Sequence, residues 1–362
     1  MMSRELNKLV ENLVDANELS DDNLTLRLDD FVLSVRSNST ELIQHLRTYF
    51  DRVVCADDPS AVQLVAIERS APSLDLQFKD WTREFGKSGR KDSYADVENT
   101  RVVHKVRTGM VFLQSHEQKI AAGPCLQNDN QVINFINAQI MNHLQNQGYA
   151  ICHAAAVVVG GSAIGMSGFS GGGKSTLMLQ MLIDEHVDFM TNDRLFVKPI
   201  NDHAVACGVP KLPRVNPGTI VHHPILKQMI TEAQCQQYLT IPASELWDLE
   251  EKYDVMVEEL FGKNRIQYHA PMKSFLVLNW ERNSPEKLNV ELVDLTQRRD
   301  LLQAIMKSPG PFYQHSDQSF HQDSIMPDEE RYIAAFESVA VYEVKGGVDF
   351  SQLAKYCLAK LM

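Results

Sequence analysis

Leu6, Leu9, Val10, Leu13 and Val14 recur at the spacing of one helix face, which predicts an amphipathic helix over residues 1–22. Strand-like runs follow over 31–35 and 62–67, with a helical pattern over 40–50 between them, so the chain opens on an α+β region. The stretch 85–98 (FGKSGRKDSYADVE) is rich in Gly, Ser and charge and reads as a loop or linker. Strand signals resume over 101–106 and 111–114. A long helix pattern then covers 130–147, with Val132, Ile133, Ile136, Ile140 and Leu144 on one stripe. Residues 152–159 and 162–166 read as a β-hairpin turning at Gly160-Gly161. Its second strand runs into a glycine-rich loop, and a helix pattern carrying Leu177, Leu179, Met181 and Leu182 follows.

Composition narrows the class. At 362 residues, 44% hydrophobic and 23% charged, the chain has the balance of a soluble globular protein of about two domains. The longest weakly polar run, 154–166, is broken by Gly160 and Gly161 and is too short for a span of about 20 residues. The first residues alternate charge with aliphatics and lack a secretory pattern, so a cytoplasmic location and no membrane partner are expected. Six cysteines without a C-x-x-C pair predict reduced, mostly buried thiols rather than a disulfide framework or a zinc knuckle. A formal charge of -12 repels a polyphosphate backbone and argues against nucleic acid as a partner. The stretch 79–107 is locally basic and could hold a small anion.

The loop after the hairpin carries the chemistry. Gly168, Gly173, Lys174 and Ser175 meet the spacing G-x-x-x-x-G-K-[ST], with Ser170, Gly171 and Gly172 inside the loop and Thr176 behind it. Glycines let successive N–H groups curl around a phosphate, and the helix N-terminus adds its dipole. Lys174 supplies a point charge for the β and γ phosphates, and the Ser175 hydroxyl suits Mg²⁺. The plain alternative is a glycine-rich turn that binds nothing, but a strand before and a helix after favour the phosphate loop. Residues 187–193 read as the next strand, ending in Asp193, which could hold Mg²⁺ or accept a proton from an attacking hydroxyl. Alone, Thr191-Asn192-Asp193 would also pass for a polar turn. No N-K-x-D for guanine is present, which disfavours a GTPase switch.

His153 opens the strand leading into the hairpin; a lone histidine is commonly packing, yet here it could orient Asp193 or touch a γ-phosphate. The Pro- and Gly-rich segment 208–219 fixes two cations, Lys211 and Arg214. Either could neutralise a transferring phosphoryl group, or both could belong to a solvated basic loop. His222 and His223 are adjacent, cannot face the same way on a strand, and have no nearby carboxylate to complete a metal site.

In this order, these residues resemble the HPr kinase/phosphorylase superfamily, whose core is similar to that of phosphoenolpyruvate carboxykinase. His153, the loop from Gly168 to Ser175, and Asn192-Asp193 fall on that family's histidine strand, phosphate loop and paired acids. The text N-D-N-Q-V-I-N-F-I-N, T-N-D-R and P-K-L-P-R-V-N-P-G-T looks most like the subgroup called HPr kinase-related kinase B. The resemblance runs from about Phe31 to the end. It implies an α/β P-loop kinase domain over 99–362 behind a smaller α+β region over 1–98, with ATP and Mg²⁺ as cofactors. Asp193 falls on the metal ligand or general base, Ser175 on the metal and Arg214 on the family's arginine loop. Two departures stand out: Asn192 replaces the first acid, which argues against reverse phosphorolysis, and Ala154 follows His153 where the family has Gly. The expected activity is therefore ATP-dependent transfer to a hydroxyl of a protein or a small molecule. The other readings are a metabolite kinase, or a nucleotide-binding sensor or assembly factor that leaves the γ-phosphate intact. Homo-oligomerisation stays open.

Overall fold

Two main mixed sheets organise this mixed α/β protein. The computed structural model describes residues 4–14, 18–82, 89–169, 172–242, 245–246, 249, 251–281 and 284–361. The chain forms two units, residues 1–147 with 308–326 and residues 148–307 with 327–362.

The first unit is an eight-stranded sheet. Its strands are β1 (Asn23–Leu28), β2 (Phe31–Ser37), β3 (Val62–Glu68), β4 (Lys79–Asp80), β5 (Asp92–Val97), β6 (Thr100–Lys105), β7 (Val111–Ser115) and β8 (Lys119–Gly123). They lie in the order β1-β2-β3-β8-β7-β6-β5-β4, parallel only where β3 meets β2 and β8. Helix α1 (Arg4–Val14) buries Leu6, Leu9 and Leu13 in one core with Ile67, Val102, Val111 and Leu113. It is shorter than the helix expected over 1–22, because residues 18–22 are not helical and β1 follows. Helix α2 (Thr40–Tyr49) starts where the Ser39 hydroxyl accepts the Leu42 N–H at 3.2 Å. Helix α3 (Asp129–Asn146) buries the expected stripe of Val132, Ile133, Ile136, Ile140 and Leu144.

Two expectations change here, and a third loses one of its cations. Within 85–98, residues 92–97 are not loop but strand β5, whose Ser93, Tyr94 and Ala95 are buried; residues 83–88 lie outside the described residues. The division expected between 98 and 99 falls in the turn of the β5–β6 hairpin, where Val97 pairs with Thr100, so the first unit runs on to residue 147. The basic stretch 79–107 does not present Arg101 to an anion. That side chain is fully buried, pairs with Asp96 at 2.6 Å, donates to the His321 carbonyl at 2.8 Å and lies 4.4 Å over the Tyr94 ring.

The second unit carries β9 (Ala150–Cys152), β10 (Ala154–Val159), β11 (Ser162–Gly168), β12 (Val187–Thr191), β13 (Leu195–Ile200), β14 (His203–Cys207), β15 (Arg214–Val215), β16 (Tyr253–Asp254), β17 (His269–Leu278), β18 (Asn289–Val293) and β19 (Ala340–Lys345). The main order is β12-β10-β11-β17-β14-β13-β9, with β19 pairing β17 and β18, while β15 and β16 pair separately. Strand β10 reads AAAVVV because both its faces are covered. Ala155, Val157 and Val159 join one core with helix α4 (Lys174–Met181), and Ala154, Ala156 and Val158 join another with Leu301, Leu302 and Phe336. The β10–β11 turn needs Gly160 and Gly161, whose φ angles of 56° and 76° suit a two-residue hairpin. Buried Arg265 ties α4 to β12, donating to the carbonyls of Leu182 at 3.0 Å, Asp184 at 2.7 Å and Val187 at 2.9 Å. All six cysteines are free thiols and all but Cys55 are buried. Among the described residues, no helix is long and apolar enough to cross a membrane.

Candidate functional site

Strand directions bring the candidate residues to one edge. Both β11 and β12 run antiparallel to β10, so Gly168 and Thr191, at their C-terminal ends, lie at the edge where β10 begins. The expected strand over 152–159 is in fact broken at His153: β9 pairs with β13, and β10 with β11 and β12. The break is held by the His153 N–H, which donates to the Ile305 carbonyl at 2.7 Å. Beyond β12, the Thr191 hydroxyl donates to the Arg194 carbonyl at 2.9 Å, closing a turn from which Asp193 meets His153.

His153 Nε2 lies 3.2 Å from Asp193 Oδ1. A carboxylate only accepts, so Nε2 carries a proton, and in the neutral ring Nδ1 is the acceptor. The other oxygen, Oδ2, lies 3.7 Å from both Arg194 Nε and Lys307 Nζ. Burial alone would raise the Asp193 carboxyl, but Lys307, the His153 hydrogen bond and Arg194 outweigh it and hold the group well below the ordinary carboxylate range. Asp193 is thus a weak proton acceptor and a strong orienting charge. Its stabilising contribution is in place above the unfolded value near 3.8 and is lost as pH falls toward the folded one.

Lys211 completes a cationic cluster. Burial, then Arg194, Lys307 and Arg214, pull its ammonium down to about 8 against the opposing pull of Asp193. Arg214 itself turns to Asp254, 3.0 Å away across the β15–β16 pair, so the structure couples it to Lys211 and not to Asp193 directly. Lys307 carried no local sequence signal. It reaches the site because Met306 bridges Cys152 and the Tyr332 hydroxyl accepts the Lys307 N–H at 3.3 Å.

On the loop side, Gly173 is the N-cap of α4 at φ 84°, and a Cβ there would sit 2.2 Å from the Phe350 ring. The Gly172 N–H donates to the Phe169 carbonyl at 2.8 Å, and its own carbonyl accepts Trp280 Nε1–H at 2.8 Å. Trp280 and Phe350 stack edge-on at 5.7 Å, so the loop rests on an aromatic pair. Lys174, Ser175 and Thr176 form the first turn of α4, whose N–H groups have no partner within the helix. Ser170 and Gly171 lie outside the described residues.

These residues fit a bound nucleotide phosphate: glycine backbone, a helix N-terminus and a lysine converge at one sheet edge. For Mg²⁺ the fitting donors are the Ser175 hydroxyl and Asn192 Oδ1, a buried oxygen without a partner among the described residues. Asp193 is already engaged by an imidazole and two cations. Among the described residues no group of three His, Cys, Asp or Glu could hold a metal. His223 is a core residue: it is buried, Nε2 donates to the Leu179 carbonyl at 3.1 Å, and Nδ1 accepts the Leu226 N–H at 3.2 Å.

No family model and no curated protein matches this chain. Among solved structures it is similar to the Hpr(Ser) kinase/phosphatase from Coxiella burnetii, with 12% sequence identity and a TM-score of 0.28. The match covers 58% of this chain and 93% of that one. Similarity at this level is distant and transfers no residue role, so the chemistry rests on the geometry above.

Proposed function

We propose that this chain is an ATP-dependent phosphotransferase of HPr kinase type, acting on a hydroxyl of a protein or small-molecule acceptor. The observation that carries this is the His153–Asp193 pair, seated with cations at the sheet edge where β11 ends in the phosphate loop. When bound, Mg-ATP supplies the phosphoryl group and a divalent cation that offsets its charge. Lys174 and the first-turn amides of α4 would hold the phosphates, and the Ser175 hydroxyl and Asn192 Oδ1 would offer oxygens to the metal. His153 would take the proton of the acceptor hydroxyl at Nδ1 as that oxygen bonds to the γ-phosphorus and the bond from phosphorus to the β–γ bridging oxygen breaks, with ADP as the leaving group. Asp193 fixes the tautomer through Nε2–H and stabilises the imidazolium that results. Lys307, Arg194 and Lys211 face the negative charge that builds up during transfer. Arg214 acts at one remove, through its field on Lys211.

The test is incubation of purified protein with γ-labelled ATP and lysate, following label into protein and small-molecule fractions. Transfer into either fraction is expected. Label in neither fraction, with ATP bound, would establish the sensor reading instead. The cluster also predicts a pH dependence. Lys211 is cationic below about 8 and loses its charge above it, so Mg-ATP affinity should fall as pH rises through that value. Calorimetric titrations on both sides of that pH should show the decline in the wild type and a flat profile in Lys211→Gln.

A further inference from the structure

The first unit contains a cavity of about 310 Å³ that the phosphotransfer chemistry does not use. That volume is at the small end of ligand pockets, roughly 300–1,000 Å³. Its ionisable lining comprises Lys119, His116, His143 and His315, without a carboxylate, in a chain whose net charge is -12.

Lys119 stands out within it. Its ammonium donates to the His116 carbonyl at 2.6 Å, and no carboxylate lies within ion-pair distance among the described residues. Partial burial pulls it down to about 8. Gln114 lies beside Lys119, its direct cross-strand partner where β7 pairs with β8. Gln139 Nε2 donates to Gln114 Oε1 at 2.8 Å, and both residues are buried, which fixes the Gln114 amide with its NH₂ as the remaining donor. His143 is held by Asp30 at 3.0 Å and packs on Phe31 at 4.9 Å, giving the cavity an aromatic side. A cation and an oriented amide side by side, together with the Phe31 ring, line a space sized for a small molecule.

We propose that this cavity binds a small organic anion, a phosphate monoester or a carboxylate, with its charged group on Lys119 and its body between the Gln114 amide and Phe31. The site is independent of the phosphotransferase reading.

Residue-resolved acetylation kinetics of the full chain test it, with glycerol 3-phosphate and malonate as probes and sodium chloride at matched ionic strength as control. A probe occupying the site at about ten times its Kd should slow labelling of Lys119 about tenfold. The exposed Lys263 and Lys355 should label unchanged. Protection by one probe and not the other identifies phosphate or carboxylate as the preferred group. Calorimetric binding of the protecting probe should persist in Lys174→Ala, which removes the loop lysine, and be lost in Lys119→Gln. Equal Lys119 labelling with and without both probes, or slowing that sodium chloride reproduces, would overturn the proposal. So would binding that survives in Lys119→Gln.

Discussion

Replacing Lys174 with Ala is expected to weaken Mg-ATP binding by roughly thirtyfold to several-thousand-fold with little loss of thermal stability. Truncating one member of a desolvated charge pair typically costs about 2–5 kcal/mol, or roughly thirtyfold to several-thousand-fold in affinity. Lys174 is the first residue of α4, where a positive charge opposes the helix dipole and Ala is a good helix former. Calorimetry on the wild type and the variant, with a melting curve for each, separates the two effects. Unchanged affinity would show that the loop is only a turn between β11 and α4.

The loop itself was legible from sequence because its parts are local. Glycine spacing, the apolar strand before it and the helix after it lie in one continuous stretch, and the Gly160-Gly161 hairpin and the strand ending at Thr191 share that property. Strand β5 was hidden because its buried residues, Ser93, Tyr94 and Ala95, include a serine and an alanine flanked by charge, and pairing with β6 is what makes them a strand. The break at His153 was equally invisible. Residues 150–159 form an apolar run on either side of it, and only the separate partners of β9 and β10 split the run.

Half of the site was legible on the same terms. Asp193 and His153 stood out as polar residues at the ends of apolar runs. Their contact depends on β10 lying between β11 and β12, which no local pattern specifies. Lys307 could not be found at all, since it joins the cluster through a long-range bridge between Met306 and Cys152. Arg214 was the more conspicuous loop cation, yet Asp254 holds it and Lys211 shares the field of Asp193. Sequence gives the residue types, while strand order decides which of them meet.

That meeting yields the second large effect. Asp193→Asn keeps the shape but removes the charge that orients His153 and faces Arg194 and Lys307. An amide also supplies an N–H that favours the opposite imidazole tautomer, placing the proton on Nδ1 where an acceptor is needed. Phosphoryl transfer should fall by about 10² to 10⁴-fold, the usual contribution of a positioned acid–base group. Nucleotide affinity should change far less, because the loop amides and Lys174 supply most phosphate binding.

The proposed transfer requires His153 and Asp193 to act as one chemical unit, and the transfer rate of the double variant His153→Gln/Asp193→Asn measures this directly. If the pair is a unit, the double variant transfers phosphate no more slowly than the more damaging single variant, because breaking either member already disables both. Losses that multiply in the double variant would show that the two residues act separately and would overturn the proposed pair.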